Sequence, residues 1–406
     1  KLGDAEIAFV EKEGKLIPKN KEFLLKCFLY ETKVALEKRM TKTPTLHFKE
    51  NLFSLEQLQD DIFQFKNIDS FLEVLCNTSA DKLFTDNSKI TVREKKKRTI
   101  KKERKVAILV PFFNLYTNQM LVDNFNNFRR ELTEDVFVIE AAFGDGPFLI
   151  DESEKFVRIR GSEDNLMWQK ERLLNIALSK LPPEYTDIVW LDADVLFDNK
   201  NWVNEMQAAL DEYCFVQLFQ TVTWLNKDGS SDIMFNTIID QSKNLFSNGG
   251  GGEAQNKGFH PGFAWAARRE VLEKTGWFDK HICGNGDSFI YYAISGHLLA
   301  GNYLVVKNRL LGFNYSFLKF RKEVIKTGAD GSISNISGNI RHMYHGDFKE
   351  RDYAGRQKFM VDAQFDPVDD LVIDDNGLFK WANKNENTLV LASRIIEYFK
   401  QRQKDA

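Results

Sequence analysis

Two aspartates, Asp192 and Asp194, stand one residue apart at the end of an apolar run that begins after Asp187. In an extended strand both carboxylates point to the same side, where they repel each other unless a cation neutralises them. Hard divalent ions such as Mg²⁺ and Mn²⁺ take oxygen ligands and keep positions open for substrate phosphates. Such pairs are common on surfaces, but the apolar residues before this one favour a buried strand. The pattern therefore predicts a Mn²⁺ or Mg²⁺ site that binds a nucleoside diphosphate.

A third acid, Asp287, follows the sequence Gly284-Asn285-Gly286 and precedes a second apolar segment. The two glycines favour a tight turn in which a sugar ring can approach the backbone. A carboxylate in that turn can deprotonate an acceptor hydroxyl. It can also cap the helix that the following residues predict, and the sequence leaves both roles open.

The segments that must position these acids read as alternating strands and helices. Continuous apolar runs, typical of strands buried in a parallel sheet, cover residues 105–114, 135–143 and 187–197. Amphipathic segments over 118–132 and 167–181 lie between them. This order predicts a mostly parallel α/β sheet with right-handed crossovers, and ligands bind such sheets beyond the carboxyl ends of the strands. The polar residues at those predicted ends are Asn114, Glu140, Asp192 and Asp194.

The first hundred residues show another pattern. Residues 21–40 carry apolar side chains at helical spacing, and the basic run from Arg93 to Lys105 reads as a solvated linker. The sequence thus predicts three parts: a mainly helical N-terminal region of unknown role (1–104), a catalytic domain (105–360), and a C-terminal helical extension packed on it (361–406).

The composition argues against several classes of protein and several kinds of site. The formal net charge is -3, so no global basic field attracts nucleic acid. The four cysteines are scattered, which argues against a structural zinc site and a disulfide framework and fits a reducing compartment. No run reaches the ~18 apolar residues of a membrane span, and no signal peptide is visible. A cytoplasmic location is expected, and the oligomeric state is not indicated.

Taken in order, these segments resemble glycosyltransferases with the GT-A fold. The strand over 187–197 resembles the D-x-D strand of that family, and Val110–Asn114 resembles its first strand, whose loop meets the nucleotide base. Trp168–Leu178 is similar to the helix whose cation and asparagine approach the nucleotide. Residues 262–296 look like the acceptor-side segment with its catalytic carboxylate, and 342–356 look like the His-Gly element with basic residues after it.

The resemblance implies a Rossmann-like GT-A fold with an N-terminal helical extension, a UDP-sugar donor and a carbohydrate or other hydroxyl acceptor. It implies Asp287 as the catalytic base, and Asp192, Asp194 and His345 as ligands of Mn²⁺ or Mg²⁺. The residues expected to contact the nucleotide are Asn114, Glu140, Lys170, Asn175, Asp192, Lys349 and Arg351. Those expected at the acceptor are His260, Trp265 and Gly286, because sugars stack on aromatic rings and approach glycines closely.

The chain departs from the inverting members in one respect. Asp287 is a single acid where their pattern has two or three in succession, so both the identity of the base and inversion itself stay open. A retaining transferase would use the same metal site without Asp287 as base. A nucleotidyltransferase or phosphohydrolase would be expected to carry a glycine-rich loop after Val110–Asn114, which is absent from the sequence. A non-catalytic carbohydrate- or nucleic-acid-binding protein would need no metal.

Overall fold

The computed structural model describes residues 9–12, 15–18, 104–151, 155–231, 233–240, 258–295, 311–346 and 355–401. The chain divides into two compact units, residues 1–94 with 242–253, and residues 95–241 with 254–406. In the first unit the described residues form an antiparallel pair of strands, β1 (Phe9–Lys12) and β2 (Lys15–Pro18). The predicted helices of the N-terminal region lie outside the described residues, as do Lys349 and Arg351.

The second unit contains the remaining described elements. Its strands are β3 (Lys105–Phe113), β4 (Asp135–Phe143), β5 (Lys155–Gly161), β6 (Tyr185–Leu191), β7 (Val195–Phe197), β8 (Phe215–Gln217), β9 (Thr221–Trp224), β10 (Ile233–Thr237), β11 (Phe259–His260), β12 (Ala264–Arg268), β13 (Ile333–Asn335), β14 (Asn339–His342), β15 (Leu371–Ile373) and β16 (Phe379–Trp381). Its helices are α1 (Gln119–Arg130), α2 (Lys170–Lys180), α3 (Trp202–Glu212), α4 (Arg269–Thr275), α5 (Gly286–Ser295), α6 (Leu311–Lys326), α7 (Gly355–Asp362) and α8 (Glu386–Gln401).

The central sheet has the mostly parallel α/β architecture that the sequence predicts. Its seven strands run in the order β13-β8-β12-β6-β3-β4-β5, and the four strands β6, β3, β4 and β5 are mutually parallel. Strand β12 is antiparallel to both of its neighbours, β6 and β8. Alternate residues of β3 enter opposite cores, with Ala107 and Leu109 on one face and Ile108 and Val110 on the other. This two-sided burial explains why the strand is apolar throughout.

The apolar run over 187–197 is two strands, and the single strand predicted there is wrong. Strand β6 ends at Leu191 inside the central sheet, whereas β7 begins at Val195 in a second sheet of order β11-β10-β9-β14-β7. The chain changes partners between them, because β7 pairs antiparallel with β14. The Asp192 N–H donates to the Phe263 carbonyl over 2.8 Å, and the Asp194 carbonyl accepts from Met343 N–H over 2.8 Å. The alternation expected of a continuous strand therefore does not apply to the two aspartates.

Arg104, which lies in the predicted basic linker directly before β3, is anchored to the central sheet. Arg104 Nε lies 2.8 Å from Asp187 Oδ2, and the Asp187 carboxylate is fully buried. Arg268 Nη1 lies 3.4 Å from the other oxygen of the same carboxylate. A buried carboxylate needs such cationic partners, so Arg104 belongs to the folded structure rather than to a solvated segment.

The C-terminal helix α8 packs into the same core as the central sheet. Its buried side chains Leu391, Ile395, Tyr398 and Phe399 join the cluster that contains Leu109. The hairpin of β15 and β16 is held to α2, because Arg172 Nε donates to the Gly377 carbonyl over 2.6 Å. Within the described residues, no helix combines the length and hydropathy needed to cross a bilayer.

We expect Ile395→Ala to lower the free energy of unfolding by about 2–5 kcal/mol, because it removes a buried side chain from the shared core. All seven tryptophans lie after residue 104, so tryptophan fluorescence during urea unfolding reports on this part of the chain. Leu389→Ala, at a half-exposed position of the same helix, is the matched control and should change stability by less than about 0.5 kcal/mol. Equal effects of the two variants would show that α8 does not stabilise the core.

Candidate functional site

A cavity of about 440 Å³ opens beyond the carboxyl ends of β3 and β6. Its wall combines polar side chains from several elements with a row of aromatic rings. The sequence-predicted residues that line it are Asn114, Lys170, Asp192, Asp194, His260, Asp287 and His345. This is the edge at which a parallel sheet of this kind binds its ligands.

One end of the cavity holds a cluster of three metal-ligating side chains, Asp194, His342 and His345. His345 Nε2 lies 2.9 Å from Asp194 Oδ2, His342 Nε2 lies 3.6 Å from the same oxygen, and the two Nε2 atoms are 3.3 Å apart. Asp194 Oδ1 is buried without a hydrogen-bond partner among the described residues. Burial of such an atom is costly unless a cation or water satisfies it.

These distances fit a divalent ion. Bonds of about 2.1 Å in an octahedral shell put neighbouring ligand atoms about 3 Å apart, close to the three spacings observed. Two imidazoles and one carboxylate favour a transition-metal ion such as Mn²⁺ over Mg²⁺, which prefers a shell of oxygens.

The pairing of β7 with β14 explains why these residues meet. His342 is the last residue of β14 and lies opposite Val195, so the aspartate just before β7 falls beside it. The His342 ring packs against the Trp224 ring with centroids 4.2 Å apart, which fixes its direction. His345 follows three residues later, before Gly346 at φ 110°. The sequence pattern predicted His345 as a ligand but not His342. The available signal for His342 was its place at the end of a strand, three residues before His345.

A buried lysine joins Asp192 and Asp287. Lys170, the first residue of α2, places Nζ 2.6 Å from Asp192 Oδ1 and 2.9 Å from Asp287 Oδ2. Burial by itself lowers the pKa of Lys170, but the attraction of Asp192 and Asp287, with a smaller contribution from Glu171, raises this pKa well above its usual value. Lys170 is therefore charged at neutral pH. The sequence predicted Asp192 as a metal ligand, but its carboxylate lies against this lysine and outside the cluster of Asp194, His342 and His345.

The turn before α5 presents Asp287 to the cavity. Gly284 and Asn285 both have positive φ, 77° and 95°, and Asn285 is a residue type that tolerates this region better than most. Asn285 Oδ1 accepts from the Ser288 hydroxyl over 2.6 Å and its carbonyl accepts from the Ser288 N–H over 3.1 Å. Asn285 thus supplies hydrogen-bond acceptors at the beginning of α5. The Asp287 carboxylate is directed at Lys170 instead.

Two further predicted residues, Asn114 and His260, line the cavity, and each forms hydrogen bonds with residues close to it in the sequence. The Asn114 side chain donates to the Asn118 carbonyl and accepts from its N–H, over 2.8 and 2.9 Å, so it shapes the loop between β3 and α1. His260 Nδ1 accepts from the Gly262 N–H, and its ring stacks on Phe263 with centroids 4.0 Å apart. Phe263 holds a positive φ of 79°, a strained conformation for a bulky residue at a site of this kind.

Three residues predicted to contact the nucleotide or the acceptor instead form hydrogen bonds with other parts of the protein. Glu140 is 2% exposed and accepts from the N–H groups of Leu149 and Ile150. Asn175 bonds to both the N–H and the carbonyl of Trp277. Trp265 is 2% exposed and donates to the Pro261 carbonyl over 2.7 Å, so it cannot offer a ring face to an acceptor.

The space beside Gly286 is occupied by another side chain of the protein and is not open to a substrate. A Cβ added there would lie 2.3 Å from the carboxyl carbon of Glu171, so the absent side chain makes room for that acid. No local pattern marks Glu171, because its burial depends on a turn more than a hundred residues away.

No protein-family model matches the chain, and no curated protein matches it either. Among solved structures, the chain is similar to glucosyl-3-phosphoglycerate synthase from Mycobacterium tuberculosis in complex with Mn²⁺, UDP and phosphoglyceric acid. The identity is 11%, the match covers 64% of this chain and 77% of that one, and the TM-score is 0.31.

It is also similar to the catalytic domain of Drosophila β1,4-galactosyltransferase 7 in complex with xylobiose, with 13% identity, coverage of 71% and 99%, and a TM-score of 0.31. A third similar structure is 4-diphosphocytidyl-2C-methyl-D-erythritol synthase from Anaerococcus prevotii, with 11% identity, coverage of 58% and 87%, and a TM-score of 0.28.

We expect the protein to bind one Mn²⁺ in the absence of nucleotide, and both Asp194→Asn and His342→Ala to weaken that binding at least about tenfold, since each removes one of three ligands. Isothermal titration with MnCl₂ measures the affinity. Asp228→Asn, in the exposed turn between β9 and β10, removes a carboxylate elsewhere and should bind Mn²⁺ like the parent. Parental affinity in His342→Ala would remove His342 from the ligand set.

Proposed function

We propose that this chain is a metal-dependent glycosyltransferase that moves a sugar from a nucleotide sugar, expected to be UDP-linked, to a hydroxyl group of an acceptor. The observation that carries the proposal is the presence, in one cavity, of three side chains arranged to bind a metal ion and a separate carboxylate, Asp287, bound to a buried lysine. An inverting, metal-dependent glycosyl transfer uses both parts, one for the diphosphate that leaves and one for the hydroxyl that attacks.

The proposed donor site extends from the metal cluster to the loop after β3. A divalent ion held by Asp194, His342 and His345 would act as a Lewis acid on the diphosphate. Lys170 adds a fixed positive charge near this group, where negative charge grows as the bond to the sugar breaks. Asn114 and the neighbouring apolar wall are proposed to contact the nucleoside. We keep Lys349 and Arg351 as proposed diphosphate contacts on the basis of the sequence alone.

The proposed acceptor side adjoins Asp287. A Cβ added to Gly262 would lie 3.2 Å from Asp287 Oδ2 and 3.0 Å from the His260 ring, so this glycine keeps the space between the two side chains open. An acceptor hydroxyl in that space would be within reach of the carboxylate, with the His260 ring beside the sugar. Gly262 and His260 are therefore proposed as acceptor-binding residues.

The proposed reaction is a single displacement. Asp287 takes the proton of the acceptor hydroxyl, and the hydroxyl oxygen forms a bond to the anomeric carbon. The bond from that carbon to the diphosphate oxygen breaks, and the nucleoside diphosphate leaves with the electron pair. Attack from the side opposite the leaving group inverts the anomeric configuration. Lys170 keeps the Asp287 carboxylate directed into the cavity until the hydroxyl replaces it as hydrogen-bond donor.

We assign this activity to residues 105–360. Residues 361–406 are proposed as an extension packed on that domain, which the burial of α8 supports. Residues 1–104 are proposed as a separate N-terminal region, whose role we leave open.

We expect Asp287→Asn to lower kcat at least about 100-fold, because the amide cannot accept the proton, while Mn²⁺-dependent binding of UDP stays close to that of the parent. The assay follows nucleoside diphosphate release from a panel of UDP-sugars with Mn²⁺ and a set of sugar acceptors. Asp194→Asn should lose both turnover and UDP binding, which separates the two roles.

The products distinguish the competing reactions. Glycosyl transfer releases a nucleoside diphosphate, nucleotidyl transfer would release pyrophosphate, and a binding protein would release neither. Proton NMR of the glycoside should show an inverted anomeric centre. A retained configuration, or full turnover in Asp287→Asn, would rule out Asp287 as the base.

A further inference from the structure

Glu171 is a buried acid that the proposed reaction does not use. It follows Lys170 in the first turn of α2 and is 3% exposed. Its Oε1 atom has no hydrogen-bond partner among the described residues. An ionised carboxylate with such an oxygen is expensive to bury, whereas the neutral acid is tolerated much better.

The position of Glu171 is set by the turn that carries Asp287. Its carboxyl group fills the space above Gly286, where an added Cβ would come within 2.3 Å of both the carboxyl carbon and Oε1. Glu171 therefore supports the backbone of the residue that precedes Asp287. Lys170, its chain neighbour, bonds to the Asp287 carboxylate. This one turn of α2 therefore lies against Gly286 through Glu171 and contacts the Asp287 side chain through Lys170.

The charges around Glu171 favour its protonated form. The groups that face it are Lys170 on its own helix, Asp287 at the start of α5 and Asp192 after β6. Burial, followed by repulsion from Asp287, raises the pKa of Glu171 to about 8, although Lys170 opposes this rise. With Glu171 neutral, Lys170, Asp192 and Asp287 together carry one positive and two negative charges. Ionisation of Glu171 would add a third negative charge near the proposed diphosphate site.

We propose that Glu171 is a positioning residue, kept protonated beneath the Gly286 turn, which holds Asp287 and Lys170 in place and whose ionisation opposes binding of the nucleotide. The part of this inference that concerns the nucleotide rests on the proposed glycosyltransferase function. The protonation state of Glu171 in the folded protein does not depend on it.

The first experiment measures the melting temperature of the protein without metal or nucleotide between about pH 5 and about pH 9. A carboxyl whose pKa is raised by folding contributes stability below its unfolded value, and this contribution is lost as the pH rises through the folded value. Glu171→Gln cannot ionise, so the melting temperature of the parent should fall below that of Glu171→Gln progressively up to about pH 8 and then run parallel to it. Glu163→Gln, at an exposed acid just before α2, is the matched control and should track the parent.

The second experiment measures function across the same pH range. Affinity for UDP with Mn²⁺ should weaken above about pH 8 in the parent but not in Glu171→Gln. At neutral pH, Glu171→Ala should lose at least about tenfold in kcat because the turn loses its support, and Glu171→Gln should recover most of that loss because it matches the neutral acid in shape.

The outcomes separate the two proposals. Parallel melting curves for parent and Glu171→Gln at every pH would overturn the inference, since they would show that Glu171 is ionised in the folded protein. Equal alkaline loss of UDP affinity in both would also overturn it. If no nucleotide binds to any variant, the proposed function fails, while the melting curves still decide the state of Glu171.

Discussion

The end of β6 at Leu191 is the constraint on which the site depends. Beyond it the chain leaves the central sheet, and β7 joins a second sheet through β14. The three residues between the strands are held by backbone hydrogen bonds, from Asp192 N–H to Phe263 and from Met343 N–H to Asp194. Each aspartate is thereby committed to a different set of partners. Asp192 turns to Lys170, and Asp194 turns to His342 and His345.

This separation gives the cavity two electrostatic ends. At one end a carboxylate and two imidazoles converge, an arrangement that a metal ion would satisfy. At the other end the Lys170 ammonium is shared between Asp192 and Asp287, and Glu171 lies behind them. In a partly buried site such charges interact strongly, so the protonation of one acid affects all the others.

The rest of the second unit keeps this arrangement rigid. Helix α2 begins at Lys170, directly against the cavity, and is tied to the C-terminal hairpin through Arg172 and to the Trp277 backbone through Asn175. Phe399 of α8 reaches the cavity wall and stacks on Trp168 with ring centroids 6.3 Å apart. Side chains whose own rotamers are fixed by packing can hold reacting groups in one geometry.

Local sequence patterns predicted the first strands of the central sheet and several of the acids at the cavity. The strands over 105–113 and 135–143 could be predicted from the sequence. Burial on both faces of a strand requires a continuous apolar run, which is a local signal. Asp194 was indicated by its place at the end of an apolar run, and Asp287 by the glycine-rich turn before an apolar segment. The structure places both of them, with His345, in the wall of the cavity.

The tertiary structure alone decided which side chains meet. Lys170 and Asp287 are 117 residues apart, and neither local spacing nor composition indicates that they share a hydrogen bond. The strand break after Leu191, the second histidine beside Asp194, and the burial of Trp265 and Glu171 likewise follow from pairings between distant segments. A sequence pattern records how each segment is buried, but the energy of a charge or a ligand depends on neighbours that only the folded chain brings together.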